Sequence, residues 1–428
     1  MSADEKMTVD ERRKYLRRMQ QRYLEASRKE RSRMLDDMEQ VLGMHRKSLI
    51  RLLGSDLARK PRTRQRGRTY GVELHRAVKV IAESLDYVCA ERLQPNLVWV
   101  ARHLAAHGEL ELTPGLLEKL GCISVSTLRR ILQRLTQDEP RLPRKGPREA
   151  NRFRRSVPTR RIPWDEEEPG HLEADLVHHC GISASGQYTH TLQLVDVATG
   201  WSERAAILGR SYLVIEDAFR RILARLPFPV KEIHSDNDSA FFNNHLARFW
   251  RDLLKDVDHS RSRAWHKNDN RFVEQKNSTL VRAYVGFDRL DTVEQTNLLN
   301  QLYDKMWIYY NLFQPVMRLV EKSVTPLENG RSRTRRRYDK ARTPFDRLCM
   351  TGALSEETRS QLERLREQTN PRKLREEIQV LLRELHRLPT AKDGQPQDVY
   401  QTLFSHRKPK KGEDISVTLS FGRTIPVR

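Results

Sequence analysis

VKEIHSDNDSAFFNNHL (residues 230–246), followed after a basic connection by KNDNRFVEQKN (residues 267–277), decides how the rest of the chain is read. Val230 to Ile233 has the pattern of a short buried strand ending on His234-Ser235-Asp236. That places a carboxylate at the carboxyl end of a strand, where open α/β sheets carry their chemistry. Downstream, Phe272, Val273 and Val281 recur at helical spacing around Glu274, so a helix brings a second carboxylate back across the sheet.

Upstream, GHLEADLVHHCG (residues 170–181) describes a third element. Leu172, Ala174, Leu176 and Val177 predict a buried strand with Asp175 in its middle, and Glu173 on the same face is the weaker alternative for a ligand. A buried carboxylate without a partner is costly, so an acid there calls for a cation. Carboxylates with no thiolate nearby suit a hard ion, Mg²⁺ or Mn²⁺, held by oxygen together with substrate phosphates. The chemistry expected of such a site is phosphoryl transfer.

The order strand-Asp175, strand-Asp236, helix-Glu274, with HSDN at the second acid and KNDNRFVEQKN around the third, resembles the catalytic core of the DDE transposases and retroviral integrases. The run continuing into VRAYVGFDRLDT resembles bacterial insertion-sequence transposases with an integrase core domain. This resemblance covers about Pro163 to Val316. It implies an α/β ribonuclease-H-like catalytic core, a mixed five-stranded sheet with flanking helices; outside it, the residue patterns predict all-α helix-turn-helix domains before the core and a mainly helical C-terminal region after it. It implies two Mg²⁺ ions, for which Mn²⁺ substitutes, with Asp175 bridging them and Asp236 and Glu274 each completing one site. The chain departs from the family in reading Asp236-Asn237-Asp238 where D-N-G is usual, and Ala240 where an acid is usual.

Composition points the same way. The 428 residues carry 79 Lys and Arg against 57 Asp and Glu, a formal net charge of +22. The surplus suits a polyanion, and with no long apolar run and no signal peptide the partner expected is double-stranded DNA and not a membrane. The expected location is the cytoplasm, at the bacterial nucleoid. Four cysteines without a C-x-x-C pair predict reduced thiols, and His103 and His107, flanked by Cys89 and Cys122, do not have the spacing of a zinc module.

Taken along the chain, residues 1–60 form an N-terminal helix-turn-helix domain, whose second helix offers His45, Arg46, Lys47, Ser48 and Arg51 to DNA. A basic linker spans 61–70. Residues 71–140 make a second helix-turn-helix-like domain, with Ser124 or Ser126 capping a helix that presents Arg129, Arg130 and Arg134; the alternative is a packing module. The linker 141–163, with Arg154 and Arg155, has Glu149 as its only acid and is expected to lie along phosphates. The core spans 164–318. Its Asp165-Glu166-Glu167-Glu168 cluster reads as surface, and Asp196 as the stabiliser of a hairpin turn. SYLVIEDAFRRILARL, capped by Ser211, and SAFFNNHLARFWRDLLKD predict helices, and on the Glu274 helix Lys267, Arg271, Lys276 and Asn277 are further DNA contacts. Residues 319–428 are a basic and helical C-terminal region: RSRTRRRYDKAR (331–342) is a further DNA-backbone contact, two charge-paired helices serve subunit contact, and DISVTLSF is a short β tail.

The function implied is a transposase that binds the terminal repeats of a mobile element, cleaves its 3′ ends and transfers the strands into target DNA. It would act as a homo-oligomer on DNA, with an ATPase helper as an optional partner. The rivals are a ribonuclease-H-type nuclease using only water, and a non-enzymatic helix-turn-helix regulator with a decayed core.

Overall fold

The computed structural model describes residues 7–57, 70–135, 162–163, 166–235, 257–262, 270–326, 332–392 and 395–404. The chain divides into two compact units, residues 1–69 and 70–428.

The first unit has three helices, α1 (Val9–Glu25), α2 (Arg28–Leu42) and α3 (Arg46–Leu53). Thr8 with Glu11, and Ser27 with Glu30, form capping boxes that satisfy the first N–H groups of α1 and α2. Gly43 closes α2 at φ +60°, a left-handed conformation that side chains adopt poorly, and so frees the chain to turn into α3. Leu16, Leu35, Met38, Leu42, Leu49, Leu53 and Leu57 form a core of their own.

The second unit begins with α4 (Val72–Ser84), α5 (Ala90–Leu93), α6 (Leu97–Ala106), α7 (Pro114–Cys122) and α8 (Val125–Leu132). Of the two serines offered as caps, Ser124 accepts the Thr127 N–H at 3.2 Å. The sequence suggested a separate domain here, but the structure joins these helices to the sheet and the C-terminal helices. Leu74, Val78, Ile81, Leu97, Val100 and Leu104 belong to one continuous core with Leu312 and Phe313. The polar ties are equally direct: Tyr309 donates to the Ser84 carbonyl at 2.9 Å and Gln314 to that of Leu85 at 2.8 Å.

The sheet has the order β3-β2-β1-β4-β5, with β1 (His171–His178), β2 (Thr189–Asp196), β3 (Ser202–Leu208), β4 (Glu232–Ser235) and β5 (Asp258–Arg261). The first three strands are antiparallel, and β4 and β5 run parallel to β1. This is the mixed five-stranded sheet expected from the sequence. At the β2–β3 turn, buried Asp196 accepts the N–H of Gly170 and of Thr199, both at 2.8 Å, and the Thr199 hydroxyl at 2.6 Å. It is the turn stabiliser. Glu167 and Glu168 are exposed. The crossover from β3 to β4 is α9 (Tyr212–Arg225); Ser211 sits at its cap position without a side-chain capping bond.

On β5 the His259 imidazole is held down to about 4 by burial, against the opposing pull of Asp258 and Glu232. A depressed folded value means that its contribution to stability is intact above the unfolded pKa near 6.5 and is lost as pH falls toward 4. At pH 5 the loss is about 2 kcal/mol. Denaturant melts at pH 7 and pH 5 should therefore show a smaller acid-induced loss in His259→Asn than in wild type; equal losses would contradict the assignment.

A short helix, α10 (Arg271–Lys276), runs on through wide π turns at Asn277–Arg282 into Ala283–Val285. The long helix α11 (Val293–Ile308) then covers the sheet, starting from a Thr292–Gln295 capping box and ending in a second π segment, Tyr309–Phe313. It solves a problem at edge strand β3, whose outward N–H and C=O groups have no neighbouring strand among the described residues. The Asn300 amide accepts the Ala206 N–H at 2.9 Å and donates to its carbonyl at 2.8 Å, and Asn311 does the same for Ser202 at 3.0 and 3.1 Å. Removing either amide strands a buried donor and acceptor at about 1–3 kcal/mol each. Asn300→Ala is expected to lose about 2–6 kcal/mol in urea melts, and a change below about 1 kcal/mol would show that the edge is satisfied in another way.

After the core comes an antiparallel hairpin, β6 (Leu319–Pro326) and β7 (Ser332–Tyr338), where the sequence suggested only a basic segment. Arg335, Arg336 and Arg337 are exposed on β7. The helices α12 (Pro344–Thr351), α13 (Glu356–Gln368) and α14 (Pro371–Arg387) follow. On α14, Leu374, Ile378, Leu382 and Leu385 are buried in the chain's own core. The helix expected at 239–256, and the DISVTLSF tail, lie outside the described residues. Among the described residues no helix is long and apolar enough to cross a membrane.

Candidate active site

Strand β1 lies in the middle of the sheet and carries Glu173 and Asp175 on one face, with Ala174 between them on the other. Asp175 is held at both oxygens. One accepts the Leu176 N–H at 2.8 Å, and the other accepts the side-chain N–H of Asn277 at 2.6 Å. Asn277 follows Glu274 by three residues, so the two share a helix face. The structure therefore brings together Asp175 and the helix that bears Glu274.

Glu173 is fully buried, and its Oε2 accepts the N–H groups of Phe272 and Val273 at 2.7 and 2.9 Å. Its carboxyl is pushed up to about 7, chiefly by burial; the Val273 N–H and the Arg271 charge pull it down, and nearby Glu274 pushes it further up. The candidate for a ligand is thus bonded to the backbone of the Glu274 helix. Glu274 itself is exposed.

β4 ends at Ser235, paired with Ala174 of β1, one residue before Asp236. Asp236 lies outside the described residues, as do Lys267, Arg154 and Arg155. A network missed in the sequence braces this end of the sheet. Ser260 donates to Glu232 at 2.5 Å, His234 is bonded to Ser260 at 2.7 Å, and His171 to Glu232 at 3.0 Å. Glu232 also raises the pKa of His171, more than burial lowers it. The alternation of Glu232, His234 and Ser260 on adjacent parallel strands was the available signal, and only the register reveals it.

Of the cations expected on DNA, Lys276 is placed differently. Its ammonium lies 4.5 Å from the centroid of the Tyr310 ring, and burial, with Arg92, Arg204 and Arg347, holds its pKa well down. The flexible stem lets it reach an interior aromatic face in place of solvent. Arg271 stacks on Phe272, with 4.6 Å to the ring centroid. Arg282, which the sequence did not single out, donates to the His178 carbonyl at 2.7 Å; burial lowers its pKa, against the opposing pull of Tyr303, Cys180 and Asp175.

In the first unit, the His45 ring accepts the Lys47 N–H at 3.2 Å, Arg46 pairs with Asp36 and with Ser32 at 2.7 Å, Ser48 is half-buried, and Lys47 and Arg51 are exposed. On α8, Arg129 pairs with Glu91, Arg130 bonds the Ser126 carbonyl at 3.4 Å and the Thr127 hydroxyl at 3.3 Å, and Arg134 is exposed. His103 and His107 are bonded to the carbonyls of Thr369 and Glu367 at 2.8 and 3.0 Å, which gives them a packing role.

Among the described residues no three His, Cys, Asp or Glu groups stand close enough to hold a metal ion. The donor set nevertheless fits a hard cation. Asp175 and Glu274 offer only oxygen, and beside them the Asn277 Oδ1 is buried with no hydrogen-bond partner among the described residues.

No protein-family model matches the chain. Among solved structures it is similar to the catalytic core domain of BIV integrase, at 16% identity over 25% of this chain and 62% of that one, with a TM-score of 0.20. It is also similar to the HTLV-2 integrase catalytic core domain in complex with magnesium, at 17% identity over 35% of this chain and 90% of that one, with a TM-score of 0.25. In sequence it is 37% identical over 304 residues to the uncharacterized protein y4rM of Sinorhizobium fredii (strain NBRC 101917 / NGR234), a match spanning 71% of this chain and 86% of that protein. With that identity across that share of both proteins, the chain belongs to the family of y4rM.

Proposed function

We propose that the chain is a DDE-type transposase, a polynucleotidyl transferase that binds the terminal repeats of a mobile element, cleaves their 3′ ends and joins them to target DNA. The observation that carries this reading is the bond between Asp175, on the central strand of a ribonuclease-H-like sheet, and Asn277, on the helix that bears Glu274. Asp175 and Glu274, with Asp236, would hold Mg²⁺ or Mn²⁺, which when bound supplies Lewis-acid chemistry to the attacking and leaving oxygens. The chain's own residues do the rest. Asn277 and the Leu176 N–H fix the orientation of the Asp175 carboxylate, and the His171–Glu232–Ser260–His234 network keeps β1, β4 and β5 in register beside it.

The net charge of +22 favours phosphate backbones, and the exposed Lys47 and Arg51 of α3 suit contact with DNA ends. Joining two ends to one target requires at least two protomers on the DNA. The test is a strand-transfer assay with Mg²⁺ or Mn²⁺, using DNA ends that flank the gene and a supercoiled target. Joined products would support the transposase. Cleavage without joining would replace it with a nuclease, and binding alone with a DNA-binding regulator.

A further inference from the structure

We propose that Glu173 is a positioning residue, which clamps the first turn of α10 to β1 so that Glu274 is held toward Asp175. The proposal rests on the reading of Asp175 and Glu274 as partners in one metal site. Its basis is the way the two elements are joined. Glu173 bonds the N–H groups of Phe272 and Val273, immediately before Glu274, and Asp175 bonds the Asn277 side chain, immediately after it on the same face. Two residues along a strand span about 6.7 Å, and four or five along a helix about 6–7.5 Å. The two bonds therefore match in spacing, and Glu274 lies between them.

The local alternative is present and unused. Asn270 stands at the cap position of α10 and is a good capping residue, yet it makes no side-chain capping bond, and its Nδ2 and Oδ1 are both buried without a hydrogen-bond partner among the described residues. The first N–H groups of this short helix are satisfied instead by the buried carboxyl group of a residue on a strand distant in sequence. A local cap would stabilise the helix without fixing its position. A cap supplied by β1 fixes both.

The test uses the full-length protein and Mn²⁺ alone, without DNA, with binding followed by titration calorimetry and folding by thermal melts. Glu173→Leu is expected to weaken Mn²⁺ binding by about ten- to a hundred-fold, and the isosteric Glu173→Gln, which keeps one acceptor oxygen, by less. Adding Asn270→Asp to Glu173→Leu should restore a local cap, and with it thermal stability, while leaving Mn²⁺ binding weak. A purely structural Glu173 would instead recover both. Wild-type Mn²⁺ affinity in folded Glu173→Leu, together with weakened binding in Glu274→Gln, would overturn the clamp. Should Glu274→Gln itself bind Mn²⁺ as wild type does, the ligand reading falls and the proposal with it. If Glu173→Leu does not fold, Glu173→Gln decides: unchanged affinity overturns the proposal and a measurable loss upholds it.

Discussion

Glu274→Gln should lower 3′-end cleavage and strand transfer by about a thousand-fold or more while leaving binding to DNA ends close to wild type. The substitution keeps the size and one carbonyl oxygen of the side chain but removes the charge that would balance a divalent ion. Losing about 4 kcal/mol of transition-state stabilisation is a factor of about a thousand. Because Glu274 is exposed, the change leaves no cavity in the core, and thermal melts of the variant separate a loss of activity from unfolding. Asp175→Asn should show the same loss, with one further consequence: its new amide N–H opposes the Asn277 N–H unless one of the two groups rotates. Asp236→Asn completes the series. Gel-based assays with end-labelled DNA would measure cleavage, joining and binding together, and wild-type joining by any of the three variants would remove that residue from the ligand set.

The positions of two acids, Asp175 on a strand and Glu274 on a helix, were legible in the sequence because each carries a local signal: a charge inside an apolar strand for Asp175, and an acid on a helical face for Glu274. Asp196 was legible for the same reason, since its partner Thr199 lies three residues on in the same hairpin turn. Glu173 was not. Its partners Phe272 and Val273 are remote in sequence, and nothing near Glu173 indicates that a helix N-terminus will arrive there. Asn300 and Asn311 were hidden in the same way, because an amide in a helix declares nothing until the edge strand beneath it is known. Lys276 was misplaced by reasoning from the helical wheel, which gives the direction of a Cβ and not the reach of a long stem. The helices of residues 70–135 have apolar stripes that fit a free-standing domain as well as a packed one, and only the identity of the covering surface distinguishes the two.

That distinction sets the second large effect. A fragment of residues 1–69 is expected to fold alone with a cooperative melt, because the core from Leu16 to Leu57 is drawn entirely from within it. A fragment of residues 70–135 is expected not to fold, and a full-length chain lacking those residues is expected to be unfolded or insoluble. Leu74, Val78, Ile81, Leu93, Leu97, Val100 and Leu104 are each at most 1% exposed. Each is worth about 1.5–3 kcal/mol when buried, so exposing even half of them matches the whole stability of an ordinary domain, about 5–15 kcal/mol. The polar seam fails as well. Without residues 70–135, Tyr309 loses the Ser84 carbonyl, Gln314 that of Leu85, and the Arg375 guanidinium, 3.4 Å from Asp86, loses a buried counter-charge. Removing one member of such a buried pair costs about 3–5 kcal/mol. Circular dichroism melts and gel filtration of the two fragments and the deletion would measure this directly. A cooperative melt from isolated 70–135 would show that these helices form an independent module, as the sequence alone suggested, and would return them to consideration as a second reader of DNA.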